Sequence, residues 1–152
     1  MKKNWVDSFV DNTFIVLLAR IIIGLMFVIV GVGKIAHPAE FADEIANYQI
    51  LPNYLINLTA ITVPWIELIA GILVIFGIKQ KPSAAIILLM LIVFTSGVAV
   101  AMAKGLNIDC GCYSQIASQQ VGIPKILENT GLMILSIIIM LTNNKKFTLQ
   151  SE

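Results

Sequence analysis

Apolar residues run along this chain in four long blocks separated by short polar segments. Phe14 to Gly33 is interrupted by one charge, Arg20; Leu58 to Ile78 by one, Glu67; Pro82 to Ala103 by none; and Ile123 to Leu141 by Lys125 and Glu128 near its start. A helix needs about 20 predominantly apolar residues to cross a hydrocarbon core about 30 Å thick. Each block therefore predicts a transmembrane helix, with spans at 14–33, 58–78, 82–103 and 123–141. Short connections between them predict a single domain over residues 1–152, an all-α integral membrane four-helix antiparallel bundle. The first block is longer than the 7–15 residue core of a signal sequence and no small-x-small cleavage pattern follows it, so it is expected to be retained.

Between the first two blocks, Phe41, Ile45 and Tyr48 recur at helical spacing while Glu40, Asp43 and Glu44 lie elsewhere around the turn. That pattern predicts a short amphipathic interfacial helix between helices 1 and 2. Leu51-Pro52 ends it. Pro64, inside the second span, frees a carbonyl and predicts a kink near Val63.

Composition sharpens this picture. Of the 152 residues, 58% are apolar and 12% charged, against roughly 45–50% and about 25% in soluble domains, and the mean hydropathy is +0.90. Lipid is the solvent for much of such a surface, which excludes a soluble enzyme. Ten basic and nine acidic residues nearly cancel, leaving no basic field to hold a phosphate backbone, so nucleic acid is excluded as a partner. Lys2, Lys3, Lys79, Lys81, Lys145 and Lys146 flank one side of the predicted bundle; Lys34, Lys104 and Lys125 flank the other. By the positive-inside rule both termini are cytoplasmic, and the 34–57 and 104–122 connections face outward. In a bacterium that side is the periplasm or cell exterior, where disulfides persist.

The outward side carries the candidate chemistry. Cys110 and Cys112, the two cysteines, stand as Asp109-Cys-Gly-Cys-Tyr113 in a polar loop with no core to fill. Glycine between them lets the sulfurs meet, and the small ring strains any disulfide so formed, making it exchangeable. A permanent disulfide, idle thiols and a Cu(I) site using His37 are the alternatives; zinc would want four ligands, and half such a set is present. Lys34, at the same level, either favours thiolate or is a snorkelling interfacial lysine. His37 is a proton-relay candidate or an interfacial histidine without function. Arg20 and Glu67 each carry a charge inside a span, at a cost of about 2.5–3.5 kcal/mol, and their depths allow an ion pair with each other. A role in proton delivery or in binding a polar head group is the other reading. Arg20, Gly24 and Gly31 share one helical stripe that would admit a neighbouring helix closely. Trp65 and Tyr54 read as anchoring or packing residues.

An ordered set of motifs now resembles the DoxX-like superfamily of small four-helix membrane proteins, most closely its MauE/DoxD-like branch. The set comprises Gly31-Val-Gly-Lys34 with Pro38 and Phe41; Tyr48 with Leu51-Pro52; Pro64-Trp65-x-Glu67-Leu68; and Asp109-Cys-Gly-Cys-Tyr113. The branch commonly reads Cys-Gly-Cys-Phe-Gly, where this chain has Tyr113 and Ser114. The resemblance implies work beside extracytoplasmic thiol-disulfide proteins of thioredoxin type. It connects the chain either with maturation of methylamine dehydrogenase or with thiosulfate-to-quinone electron transfer.

Together these readings give two expectations. One is a bacterial inner-membrane thiol-disulfide redox protein. In it Cys110 and Cys112, tuned by Lys34 and His37, exchange electrons between a thioredoxin-like or disulfide-containing client and a membrane quinone, with Arg20, Trp65 and Glu67 as candidate quinone contacts. The alternative is a non-catalytic maturation or assembly factor of methylamine dehydrogenase type, holding a client at the membrane, with or without a copper ion on the Cys pair.

Overall fold

The computed structural model of the chain describes residues 13–106 and 122–142. They form five helices: α1 (Thr13–Ala36), α2 (Pro38–Asn47), α3 (Asn53–Phe76), α4 (Gln80–Ala103) and α5 (Ile123–Leu141). No strand occurs among the described residues. All of these helices except α2 are long and apolar enough to cross a membrane. The helix α3 begins at Asn53, five residues before the apolar block, because Pro52 supplies an extended entry and the polar turn that follows can hydrogen-bond as helix without being apolar.

The four long helices close into a ring. Neighbours α1 and α3, α3 and α4, α4 and α5, and α5 and α1 pack together, while the diagonals make no close backbone approach among the described residues. At one end, here the turn end, Gly77-Ile-Lys79 reverses the chain between α3 and α4. At the other, the loop end, α1 and α4 finish and α3 and α5 begin, so the 107–121 segment with Cys110 and Cys112 is anchored there at both its ends. The structure of that segment lies outside the described residues.

The helix α1 packs most extensively on α3, through the predicted glycine stripe. A Cβ on Gly24 would collide with Ile75 and stand 2.9 Å from the Gly71 carbonyl oxygen; one on Gly71 would stand 2.9 Å from that of Gly24; and one on Gly31 would meet the Pro64 carbonyl at 3.0 Å. Three glycines thus let two backbones touch, which is how helices associate where lipid leaves little hydrophobic drive between them. The burial pattern agrees: Ala19, Ala60, Ala70, Ala84, Ala101, Ser83 and Ser136 are buried, whereas Leu25, Ile29, Ile61, Ile69, Leu89 and Val93 face outward. The helix α3 continues without interruption through buried Pro64.

Pro38 opens α2 at a position whose N–H needs no partner. Its apolar edge faces the bundle: Phe41 is buried against it, and Tyr48 just beyond the helix meets Phe94 edge-on at 6.5 Å. The Lys104 ammonium donates to the Gln49 carbonyl at 3.2 Å, holding the turn before α3 to the end of α4.

Candidate functional site

The interior charges fall into two groups at different depths. At the turn end, Arg20 is fully buried and donates from Nε to the Val74 carbonyl at 3.0 Å and from Nη2 to the Ile75 carbonyl at 2.8 Å. These oxygens belong to the last turn of α3, where intrahelical donors run out. Gly77, at φ +68°, and Ile78 complete a Schellman turn there: Gly77 N–H donates to the Val74 carbonyl alongside Arg20, and Ile78 N–H to that of Leu73. The guanidinium adds its charge to the negative end of the helix dipole.

Deeper within the ring, the Lys34 ammonium spans both carboxylate oxygens of Glu67, at 2.8 and 3.0 Å, with 7% and 9% of the two residues exposed. The same ammonium lies 4.4 Å from the centre of the Phe41 ring, so a cation–π contact from α2 completes its surroundings. This arrangement corrects two expectations. Glu67 pairs with Lys34 and not with Arg20, and Lys34 turns into the bundle instead of snorkelling outward. One rule explains both: Cα–Cβ bonds lean toward a helix's own N-terminus. In antiparallel α1 and α3, Arg20 and Glu67 therefore lean apart, whereas Lys34 and Glu67 lean toward each other.

Across the ring from Glu67, α5 presents Lys125 and Glu128, paired at 2.9 Å, and Asn129, whose Nδ2 donates to the Thr95 hydroxyl of α4 at 3.1 Å. Lys125 and Asn129 are buried. Between the two walls is a cavity of about 50 Å³, lined by Glu67 of α3, by Lys125, Glu128 and Asn129 of α5, and by apolar residues such as Met26 and Phe27 of α1 and Met90 and Phe94 of α4. All four long helices contribute to it. Toward the turn end it is closed by Ile23, Val74, Ala84, Ile87 and Ile139, each essentially inaccessible.

The remaining candidates are dispersed. His37 is half-exposed at the start of α2, with Nδ1 3.6 Å from Glu40. Trp65, two residues from Glu67, faces outward with 52% of its surface exposed. Arg20, Trp65 and Glu67 are thus not brought together, and Cys110 and Cys112 lie outside the described residues. No cluster of three metal-ligating side chains occurs among the described residues. The sequence pattern places Lys125 and Glu128 as charges at a span's start and does not single out Asn129. Their signal was periodicity: Lys125, Asn129, Leu132, Ser136 and Ile139, the buried residues of α5, fall on one helical face, polar at three of five positions.

Comparison with known proteins adds a family to this geometry. The family model described as methylamine utilisation protein MauE matches residues 12–142. The MauE protein of Paracoccus denitrificans is 26% identical over 133 residues, covering 87% of this chain and 72% of that protein. That of Methylophilus methylotrophus is 25% identical over 135 residues, covering 88% and 71%. That of Methylorubrum extorquens is 25% identical over 130 residues, covering 85% and 65%. No solved structure matches the chain.

Proposed function

The chain belongs to the MauE family of methylamine utilisation proteins and is a multi-pass membrane protein, and from that footing we propose that it is a membrane maturation or assembly factor for methylamine utilisation. It holds an extracytoplasmic client of methylamine dehydrogenase type at the loop end of the bundle. The observation that carries this reading is the family match across residues 12–142, which takes in all five helices and the 107–121 segment. The interior supports it too, since Lys34 with Glu67 and Lys125 with Glu128 pair their charges across a rigid, glycine-packed frame suited to presenting a fixed surface. In this reading the bundle lies in the bacterial inner membrane with both termini cytoplasmic.

A second reading adds thiol-disulfide exchange, favoured by the anchoring of the Cys110-Gly-Cys112 segment at that same end. One thiolate attacks a client disulfide, a mixed disulfide forms, and the second cysteine displaces the client thiolate; in reverse, two electrons and two protons pass from a client dithiol to the Cys pair and on to a quinone, giving quinol. The cavity is well below the roughly 150 Å³ that admits benzene. The quinone therefore docks on the outer face of the helices, where Trp65 is available.

Complementation distinguishes the two. A deletion strain growing on methylamine is supplied with Cys110→Ser, Cys112→Ser or the double variant. Growth restored by the double variant, with client still co-purifying in detergent, supports the assembly factor. Loss of growth with a reducible client adduct in one single variant supports exchange. Full growth without any protein supplied would overturn both.

A further inference from the structure

We propose that the chain pairs with a second copy of itself through the outer face of α3, with Trp65 of each copy hydrogen-bonded to Thr62 of the other inside the hydrocarbon core. This inference does not depend on what Cys110 and Cys112 do. Its first ground is a donor in the wrong solvent. Trp65 faces outward, and its indole N–H has no acceptor among the described residues. It stands seven residues beyond Leu58, the loop-end edge of the apolar block, or about 10 Å at 1.5 Å per residue. An anchoring tryptophan keeps its N–H at head-group level, where polar partners are at hand. This one lies below that level, where lipid tails accept nothing. The other outward-facing donors at such depth are satisfied within their own helices. Ser96 of α4 donates to the Val93 carbonyl, Thr130 of α5 to that of Ile126, and Thr62 of α3 to that of Leu58 at 2.8 Å. Among the described residues, Trp65 is thus the one outward-facing donor left unpaired more than a turn inside the apolar blocks.

The second ground is an acceptor at the matching depth. Thr62 stands one turn nearer the loop end and is likewise exposed. Its single proton is spent on Leu58, so to any partner it can only accept, while an indole N–H can only donate. Within one chain the two side chains are not hydrogen-bonded to each other. Copies in one membrane share an orientation, and a two-fold pair sets the same face of each against the other at equal depth. The Trp65 side chain leans toward the N-terminus of α3, which is the Thr62 direction. The indole of one copy therefore comes level with the hydroxyl of the other, and symmetry makes the bond twice. Interhelical hydrogen bonds of this kind hold helices together in lipid.

The third ground is the shape of the face. Leu58, Ile61, Trp65, Ile69, Ile72 and Phe76 are all exposed. They form pairs eleven residues apart, and eleven residues make three turns at 3.67 per turn, so the stripe keeps to one side of α3 down the whole span. It carries no charge to desolvate. A parallel pair built on it sets two loop ends side by side, facing the same compartment. A quinone is the competing occupant of this face, but it would have to bring its own acceptor, whereas a second chain already holds one at the right level.

Sedimentation of the full chain in density-matched detergent and cross-linking in native membranes test this. The unaltered chain should sediment as a dimer that dissociates on dilution. Trp65→Phe, which keeps a ring, and Thr62→Val, which keeps the shape, should each raise the dissociation constant several-fold, and the two together no further than either alone. Thr130→Val, on the outer face of α5, should leave it unchanged. In a chain carrying Cys110→Ser and Cys112→Ser, Ile61→Cys should cross-link into a dimer on oxidation, and Leu25→Cys on the outer face of α1 should not. A monomer at every concentration, as a quinone or lipid covering Trp65 would give, overturns the proposal. So does a dimer indifferent to Trp65→Phe and Thr62→Val, a double variant whose losses add, or equal cross-linking from Leu25→Cys.

Discussion

Lys34 on α1 and Glu67 on α3 form a bidentate ion pair, 2.8 and 3.0 Å, inside the bundle, with the Phe41 ring closing over the ammonium. Three helices meet at this one pair. Removing one partner leaves the other charged in a low-dielectric site, which costs about 3–5 kcal/mol, while removing both leaves no orphan. Lys34→Met or Glu67→Gln alone should therefore lower the thermal stability of the detergent-solubilised protein more than the double substitution. Additive losses in the double-mutant cycle would contradict the pairing.

Arg20 has a different task, and the same cycle shows it. Its fork bridges two carbonyls of the last turn of α3, which an ammonium cannot do in the same geometry. Arg20→Lys should cost about 1.5–3 kcal/mol, the worth of a charge-assisted hydrogen bond. Because Glu67 is roughly 12 Å farther along α3 at 1.5 Å per residue, Arg20→Lys and Glu67→Gln should add to within about 0.5 kcal/mol. Strong coupling between them would restore the pairing expected from depth alone.

How much of this was legible beforehand depends on which physical rule the residues obey. The four helices were readable because a hydrocarbon core demands an apolar block of one length, and the glycine stripe of Gly24 and Gly31 was readable because small residues seven apart share a face. Choosing a partner for Glu67 by depth failed, since side-chain lean adds several ångströms toward each helix's N-terminus and decides between Arg20 and Lys34. Asn129 and Lys125 were hidden for another reason: a polar residue near a helix start reads as interfacial until the ring closes and shows which face is interior. Trp65, by contrast, faces outward as an anchoring residue would.

The glycine contact between α1 and α3 gives a prediction with an internal control. A Cβ on Gly71 would stand 2.9 Å from the backbone oxygen of Gly24, and backbone cannot swing aside. Gly71→Ala should destabilise by about 1–3 kcal/mol as overpacking does. Gly131 in α5 has nothing within 4 Å of its would-be Cβ, so Gly131→Ala should be neutral or stabilising by up to about 1 kcal/mol. Thermal midpoints of the two variants in the same detergent make the comparison; equal shifts would mean that the helices are not in contact there.

Orientation gives the last prediction, and the structure strengthens its basis. Of the three lysines assigned to the outward side, Lys34 and Lys125 are drawn into the bundle by Glu67 and Glu128, which leaves Lys104 as the one exposed at the loop end. Lys79 and Lys81, with Arg20 beneath them, mark the turn end, and the positive-inside rule counts such flanking charges. The turn end should therefore be cytoplasmic and the loop end external. In intact spheroplasts, after mild reduction, a membrane-impermeant thiol reagent should label Cys110 or Cys112, and a cysteine placed at Ile78 in a chain lacking both should be labelled only after lysis. The reverse pattern would invert the bundle, put the Cys pair in a reducing compartment, and take the thiol-exchange reading with it.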